Sequence, residues 1–204
     1  MIRLEYFTKD DFTQLIEWIP DETILMNWSG SLFSFPLTQQ SMEWYIEDVN
    51  DMEHSEAFIY KAVETATGET VGHISLGSIS KKNKAGRISR VLVAPQYQGK
   101  GYCRQMVSAV LKIGFEALQL HRICLGVYDF NTAAISCYKK AGMVIEGTNR
   151  DCLLFKDQWW SLVEMSILEE EWRAPPLPER ELAEIEVKEP HLSSTEGEGN
   201  GEDC

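Results

Sequence analysis

No stretch of the 204-residue sequence approaches the roughly 18 consecutive apolar residues that a membrane span requires. The opening, MIRLEYFTKDD, has no basic cap followed by an apolar run, so a secretion signal is not expected and a cytoplasmic protein is. Cysteine is sparse and unpatterned, with five residues (Cys103, Cys124, Cys137, Cys152 and Cys204), no CxxC pair and no His/Cys cluster. That composition predicts free thiols in a reducing compartment rather than disulfides, and no metal site. Positive charge is also short. Nineteen Lys and Arg stand against 32 Asp and Glu, a formal charge of −13. Such a balance argues against wrapping nucleic acid or lying on an anionic membrane, and it favours cationic partners.

The excess charge is uneven. Residues 173–204 hold 9 acids and 3 bases (9 − 3 = 6 excess), and four of the seven prolines. Their ending, SSTEGEGNGEDC, has too little apolar surface to offset chain entropy. We therefore expect a folded domain over 1–172 and an acidic tail over 173–204, with a short helix permitted at Glu179–Val187. A hydrophobic fraction of 44% and a charged fraction of 25% are those of an ordinary globular chain, long enough for one core.

Along the domain, IRLEYF alternates as a first strand. Thr8, with Asp11 three positions on, predicts a helix start before FTQLIEWI. Asp21–Leu37 is expected as a loop, and Thr38 as the cap of a second helix through SMEWYIEDV. AFIYKAVE and ETVGHISLGSIS, joined by TATG, predict a hairpin. RISRVLVAP is a fourth strand stopped by Pro95. The basic run Lys81, Lys82, Lys84 and Arg87 before and within it is most simply a solvated turn. An amphipathic helix then runs to Leu120, ICLGVYDF is a fifth strand, and Asn131–Lys140 a helix ended by Gly142. MVIEGTNRDCLLF and WWSLVEMSIL close the domain. The order β-α-α-β-β-β-α-β-α-β-β predicts an α/β fold, a mixed sheet with helices on its faces.

The most informative stretch is VLVAPQYQGKGYCRQMV (Val91–Val107). A buried strand enters a loop with glycines at 99 and 101, and a helix begins at once. The first helical N–H groups have no intrahelical partner there, and glycine lets an anion approach the backbone. Two phosphate motifs are excluded. The P-loop needs four residues between its glycines, and the dinucleotide fingerprint needs a glycine where Arg104 stands.

What fits is Q-x-x-G-x-G at Gln96, Gly99 and Gly101. With NTAAISCYKKAGM (Asn131–Met143), matching N-x-x-A-I-x-x-Y-x-K-x-G-[F/M], the sequence resembles the GNAT superfamily of acyl-CoA-dependent N-acetyltransferases. EGTNRDCLLFKDQWWSLVEMSILEEEW is similar to its ribosomal-protein N-terminal and polyamine branch. The resemblance implies a mostly antiparallel sheet with splayed fourth and fifth strands, acetyl-CoA as acyl donor, and a primary amine acceptor, either a small molecule or a protein N-terminus. It would place the amides of Gln98, Gly99, Lys100, Gly101, Tyr102 and Cys103 around the pyrophosphate. Val91, Leu92 and Val93 would lie along the cofactor, with Asn131 and Ala134 at the pantetheine arm. Tyr138 would protonate the departing thiolate in a ternary complex. A homo-oligomer is left open.

Each residue also has a plainer reading. Asn131 is a good helix cap, Gly99 and Gly101 serve turns, and Tyr138 is a half-buried aromatic. Many family members carry a glutamate on the fourth strand as general base, whereas here that strand is Arg87-Ile88-Ser89-Arg90-Val91-Leu92-Val93, with no acid. Asp129, Asp151, His73 and Glu47 are the substitutes. Trp28 and Trp44 are candidates to line the acceptor pocket, with core packing as the alternative. Trp159 and Trp160 should face opposite ways. A non-catalytic CoA-binding module, its acidic tail docking a partner, is the rival reading.

Overall fold

A computed structural model describes residues 1–174. The acidic tail beyond them, and the helix permitted at Glu179–Val187, lie outside the described residues. In chain order the elements are β1 (Ile2–Tyr6), α1 (Phe12–Glu17), α2 (Glu22–Ser29), α3 (Gln39–Tyr45), β2 (Phe58–Glu64), β3 (Thr70–Ser80), β4 (Ala85–Val93), α4 (Tyr102–Lys112), β5 (Arg122–Tyr128), α5 (Thr132–Lys140), β6 (Val144–Phe155), β7 (Gln158–Leu168) and α6 (Glu169–Arg173). Among the described residues no helix is long and apolar enough to cross a membrane.

Local hydrogen bonding starts the helices where the sequence predicts. Asp11 accepts from the Thr8 backbone N–H at 2.8 Å, closing a capping box, and its other oxygen takes Lys61 of β2 at 2.8 Å. One carboxylate thus closes the short 3-10 turn Lys9–Asp11 that leads into α1 and ties it to the sheet. Thr38 accepts from the Ser41 amide at 3.2 Å. Its helix ends at Tyr45 rather than continuing to Val49. The expected loop over Asp21–Leu37 is a correction, because its first part is α2. Asp21 accepts from the Ile24 amide at 2.9 Å, and Leu25 and Trp28 are buried one turn apart. A two-turn helix is marginal alone and is held by that packing.

The seven strands order as β1-β2-β3-β4-β5-β7-β6, and every neighbouring pair but β4–β5 is antiparallel. Alternation sends Phe58 and Tyr60 to one face and Ile59 to the other. On the first face α4 and α5 cover a core built on Ile74, Leu76, Met106, Val110, Leu111, Leu125 and Met165. On the second, α1–α3 cover β1–β4 around Phe12, Leu15, Leu25, Trp28 and Met42. A smaller cluster, Tyr128, Phe155 and Trp160, lies under Met26 of α2.

Candidate active site

The parallel pair β4–β5 is short. It is registered only at Ala85↔Arg122, Gly86↔Ile123 and Arg87↔Cys124. Beyond Arg87 the two strands part, which opens a cleft at their C-terminal ends. Just past that point β4 bulges, since His73 pairs with Leu92 but Ser75 with Ser89, so Arg90 and Val91 together oppose Ile74. Arg90 sits at φ +52°. Its carbonyl accepts from Trp28 Nε1 at 3.0 Å and His73 Nδ1 at 2.9 Å.

Downstream of β4, Gly99 and Gly101 adopt φ +76° and +80°. Both positions therefore call for glycine on backbone grounds alone. A Cβ at either would meet nothing within 4 Å, so the space in front of the loop is open. Gly101 caps α4 without any side-chain hydrogen bond. The amides of the first turn are left pointing outward at the positive end of an eleven-residue helix, an arrangement suited to an anion. Of the amides singled out from the sequence, Gln98 N–H is already turned back to the Pro95 carbonyl at 3.4 Å. The Tyr102 ring is buried and its phenol donates to Glu64, which raises the phenol above its ordinary range.

Asn131 caps α5, its Oδ1 accepting from the Ala134 amide at 3.1 Å, which leaves its side-chain NH₂ for another partner. Tyr138 is 6% exposed, and burial alone pushes its phenol above the ordinary tyrosine range. The hydroxyl therefore stays protonated at neutral pH. Its neighbour Cys137 forms a disulfide with Cys103 of α4, Cα–Cα 6.5 Å. The expectation of free thiols is thus corrected for this pair, while Cys124 and Cys152 are free. The two sulfurs lie 34 positions apart in the chain and meet only because α4 packs on α5.

On the opposite face a cavity of about 330 Å³ is lined by Trp44, Tyr45, Glu47, Asp48, Ser75 and Arg90, among others. Trp44 is exposed there, but Trp28 is buried, stacked on Phe33 at 5.8 Å, and belongs to the core. Of the substitute bases, only Glu47 lines this cavity. Asp129 and Asp151 are exposed, their amides bonded to Ser161. His73 is buried edge-on to Phe7 and Trp28, and burial pulls its pKa down to about 4. Donation from Nδ1 fixes its tautomer and leaves Nε2 buried without a partner among the described residues. That places it in the packing of the site and away from solvent. Trp160 is buried and Trp159 60% exposed, on opposite faces.

Arg87 is a further correction. Instead of belonging to a solvated turn with the exposed Lys81, Lys82 and Lys84, it lies half-buried in β4 and holds Glu164 of β7 at 3.0 and 3.1 Å. Neither this pairing nor a role for Arg90 was anticipated. The available signal was strand alternation, which puts Arg87 and Ser89 on the face opposite Ile88.

Residues 2–144 match the family described as Acetyltransferase (GNAT) domain. Among curated proteins the chain is similar to the uncharacterized N-acetyltransferase YnaD of Bacillus subtilis, 38% identical over 78 residues (38% of this chain, 46% of that protein). It is also similar to spermidine N(1)-acetyltransferase of Vibrio cholerae, 28% identical over 110 residues (54% and 63%). The matched part spans about half the length of these relatives. In three dimensions it is similar to the spermidine N-acetyltransferase from Vibrio cholerae solved in complex with CoA and spermine, with a TM-score of 0.73 at 20% identity, covering 84% of this chain and 97% of that one. At that identity the likeness speaks for the fold.

Proposed function

The chain belongs to the GNAT family of acetyltransferases, and from that premise we propose that it transfers an acetyl group from acetyl-CoA to a primary amine in a ternary complex. The observation that carries this reading is the coincidence of two features on either side of one cleft. The uncapped N-terminus of α4 lies at the end of β4 with its glycine loop open, and a buried tyrosine whose phenol has no hydrogen-bond partner among the described residues lies on α5, which packs against α4.

Acetyl-CoA supplies the acetyl group as an activated thioester. The amides from Gly99 to Cys103 would receive its pyrophosphate, and Val91, Leu92 and Val93 would flank the pantetheine arm along the free edge of β4. The Asn131 NH₂, left over from capping, and Ala134 would meet that arm from α5. Tyr138 holds a proton at its phenol oxygen for the departing sulfur, which is general-acid work. Holding amine and carbonyl in contact supplies much of the acceleration.

With no acid on β4, a weakly basic acceptor is favoured. An α-amine of pKa near 8 is deprotonated at a cost of roughly 1.4 kcal/mol at pH 7, against about 5 kcal/mol for a lysine-like amine near 10.4. Calorimetric titration with CoA tests the cofactor site, and acetyl-CoA consumption across polyamines, amino acids and N-terminal peptides tests transfer. Absence of CoA binding overturns the reading. Binding without turnover on any amine supports a non-catalytic CoA module instead.

A further inference from the structure

The second-face cavity carries an arginine that has no counter-ion among the described residues. Arg90 lies on its floor, on the β4 bulge. Its Nη1 donates to Ser89 Oγ at 2.9 Å and to Ser75 Oγ at 3.4 Å, and its guanidinium carbon lies 5.0 Å from the centre of the Tyr45 ring. Its Nε is buried with no partner, and none of the ion pairs among the described residues includes it. Three residues earlier on the same strand, Arg87 is neutralised by both oxygens of Glu164. The contrast is informative. A guanidinium cannot shed its proton, so a partly buried one lacking an anion is held at a free-energy cost that a ligand's anion would offset.

Position gives that ligand its identity. Beyond Arg87 the strands β4 and β5 have parted, so the floor of the cavity adjoins the cleft in which the proposed thioester would lie. An acceptor occupying the cavity would therefore meet Arg90 next to the reacting carbonyl. The planar fork of a guanidinium matches a carboxylate with two parallel hydrogen bonds. The exposed carboxylates Glu47 and Asp48 also line the cavity, which thus presents a fixed cation at its floor together with acids. A polyamine offers Arg90 only ammonium groups, whereas an amino acid or a short peptide offers it a carboxylate.

Building on the acetyl-transfer reading, we infer that the acceptor is an amine that also carries a carboxylate, and that Arg90 receives that carboxylate. The site then selects for charge of both signs in one small molecule, a choice the net charge of the chain does not reveal.

The test uses acceptors matched but for the carboxylate, compared at equal concentrations of neutral amine because the carboxylate also changes the amine's pKa: amino acids against their amides, and ornithine against putrescine, with spermidine alongside. With the full chain, kcat/KM is expected to favour the carboxylate member by about tenfold or more, because a site built for a polar group rejects the analogue lacking it. Arg90→Gln should bring the ratio near one with the KM for acetyl-CoA unchanged, and Arg90→Lys should retain part of the preference. Should Arg90→Gln fail to fold, the wild-type ratios and Arg90→Lys decide. Equal rates within each pair, spermidine as the best acceptor, a preference insensitive to Arg90→Gln, or no acetylation of any pair by protein that binds CoA would each overturn the inference. Failure of the wild type to bind CoA by calorimetry would instead overturn the underlying acetyl-transfer reading.

Discussion

Arg87 reaches over Gly126 to hold both carboxylate oxygens of Glu164, at 3.0 and 3.1 Å, bridging β4 to β7 across the intervening β5. The bridge stands where the β4–β5 ladder ends and the cleft begins. It holds the neighbouring strands together at that point without closing the cleft beyond. A Cβ on Gly126 would lie 2.5 Å from Arg87 Nη2 and 2.8 Å from Leu162 Cδ2. Gly126→Ala is therefore expected to destabilise by about 1–3 kcal/mol through overpacking. Glu164→Gln should cost about 1–2 kcal/mol, less than a fully buried pair because the two side chains keep 34% and 28% exposure. Urea unfolding measures both, and wild-type midpoints in both variants would dismiss the bridge as a structural element.

Tyr138→Phe removes one oxygen from a packed phenol and keeps the ring. It should lower kcat on the order of a hundredfold, as loss of a general acid does. CoA affinity and the unfolding midpoint should hold. Turnover equal to the wild type excludes the phenol from the chemistry.

The pH dependence of stability should carry the signature of His73. Burial is the main cause of its low pKa. The charge of Arg90 adds to it, while the bond to the Arg90 carbonyl and the charge of Asp11 oppose it. The unfolded chain takes up the proton near pH 6.5 and the folded protein only near 4. Between those values the unfolded state binds more protons, so stability is full above about pH 6.5 and falls as the pH drops towards 4. The loss between pH 7.5 and 5 amounts to about 2 kcal/mol. Urea titrations of wild type and His73→Gln at both pH values isolate it, since the variant should lose less. Equal losses would show that the imidazole does not titrate across folding.

Reducing the Cys103–Cys137 disulfide frees a loop of 34 residues between α4 and α5. On the chain-entropy account that lowers stability by roughly 3–4 kcal/mol. Dithiothreitol should lower the Tm of the wild type, and Cys103→Ser should show the lowered value with or without reductant. Thiol counting by mass spectrometry before and after reduction gives an independent reading. A reductant-insensitive Tm in the wild type would count against the crosslink.

What was legible from residues alone was local. The capping box of Thr8 and Asp11, the caps Thr38 and Asn131, the glycines that open α4, and the short apolar runs of the seven strands all act within a few positions. The two GNAT motifs are likewise short and contiguous. Helix α2 is the instructive exception. Its cap at Asp21 is local, but eight residues of modest helix propensity form a helix only because Leu25 and Trp28 have a sheet to pack against.

The sequence by itself determined the order of the seven strands, the family and the glycine-opened end of α4, because hydrogen bonds to near neighbours and the periods of 2 and 3.6 residues are written along the chain. Tertiary structure alone decided the rest. Arg87 meets Glu164 across 77 positions, Cys103 meets Cys137, Trp28 and His73 turn inward to the Arg90 carbonyl, and Arg90 faces a cavity with no ion-pair partner among the described residues. Each of these depends on strand register and on how helices seat on the sheet. The sum of the packing sets those quantities, and no single segment encodes them.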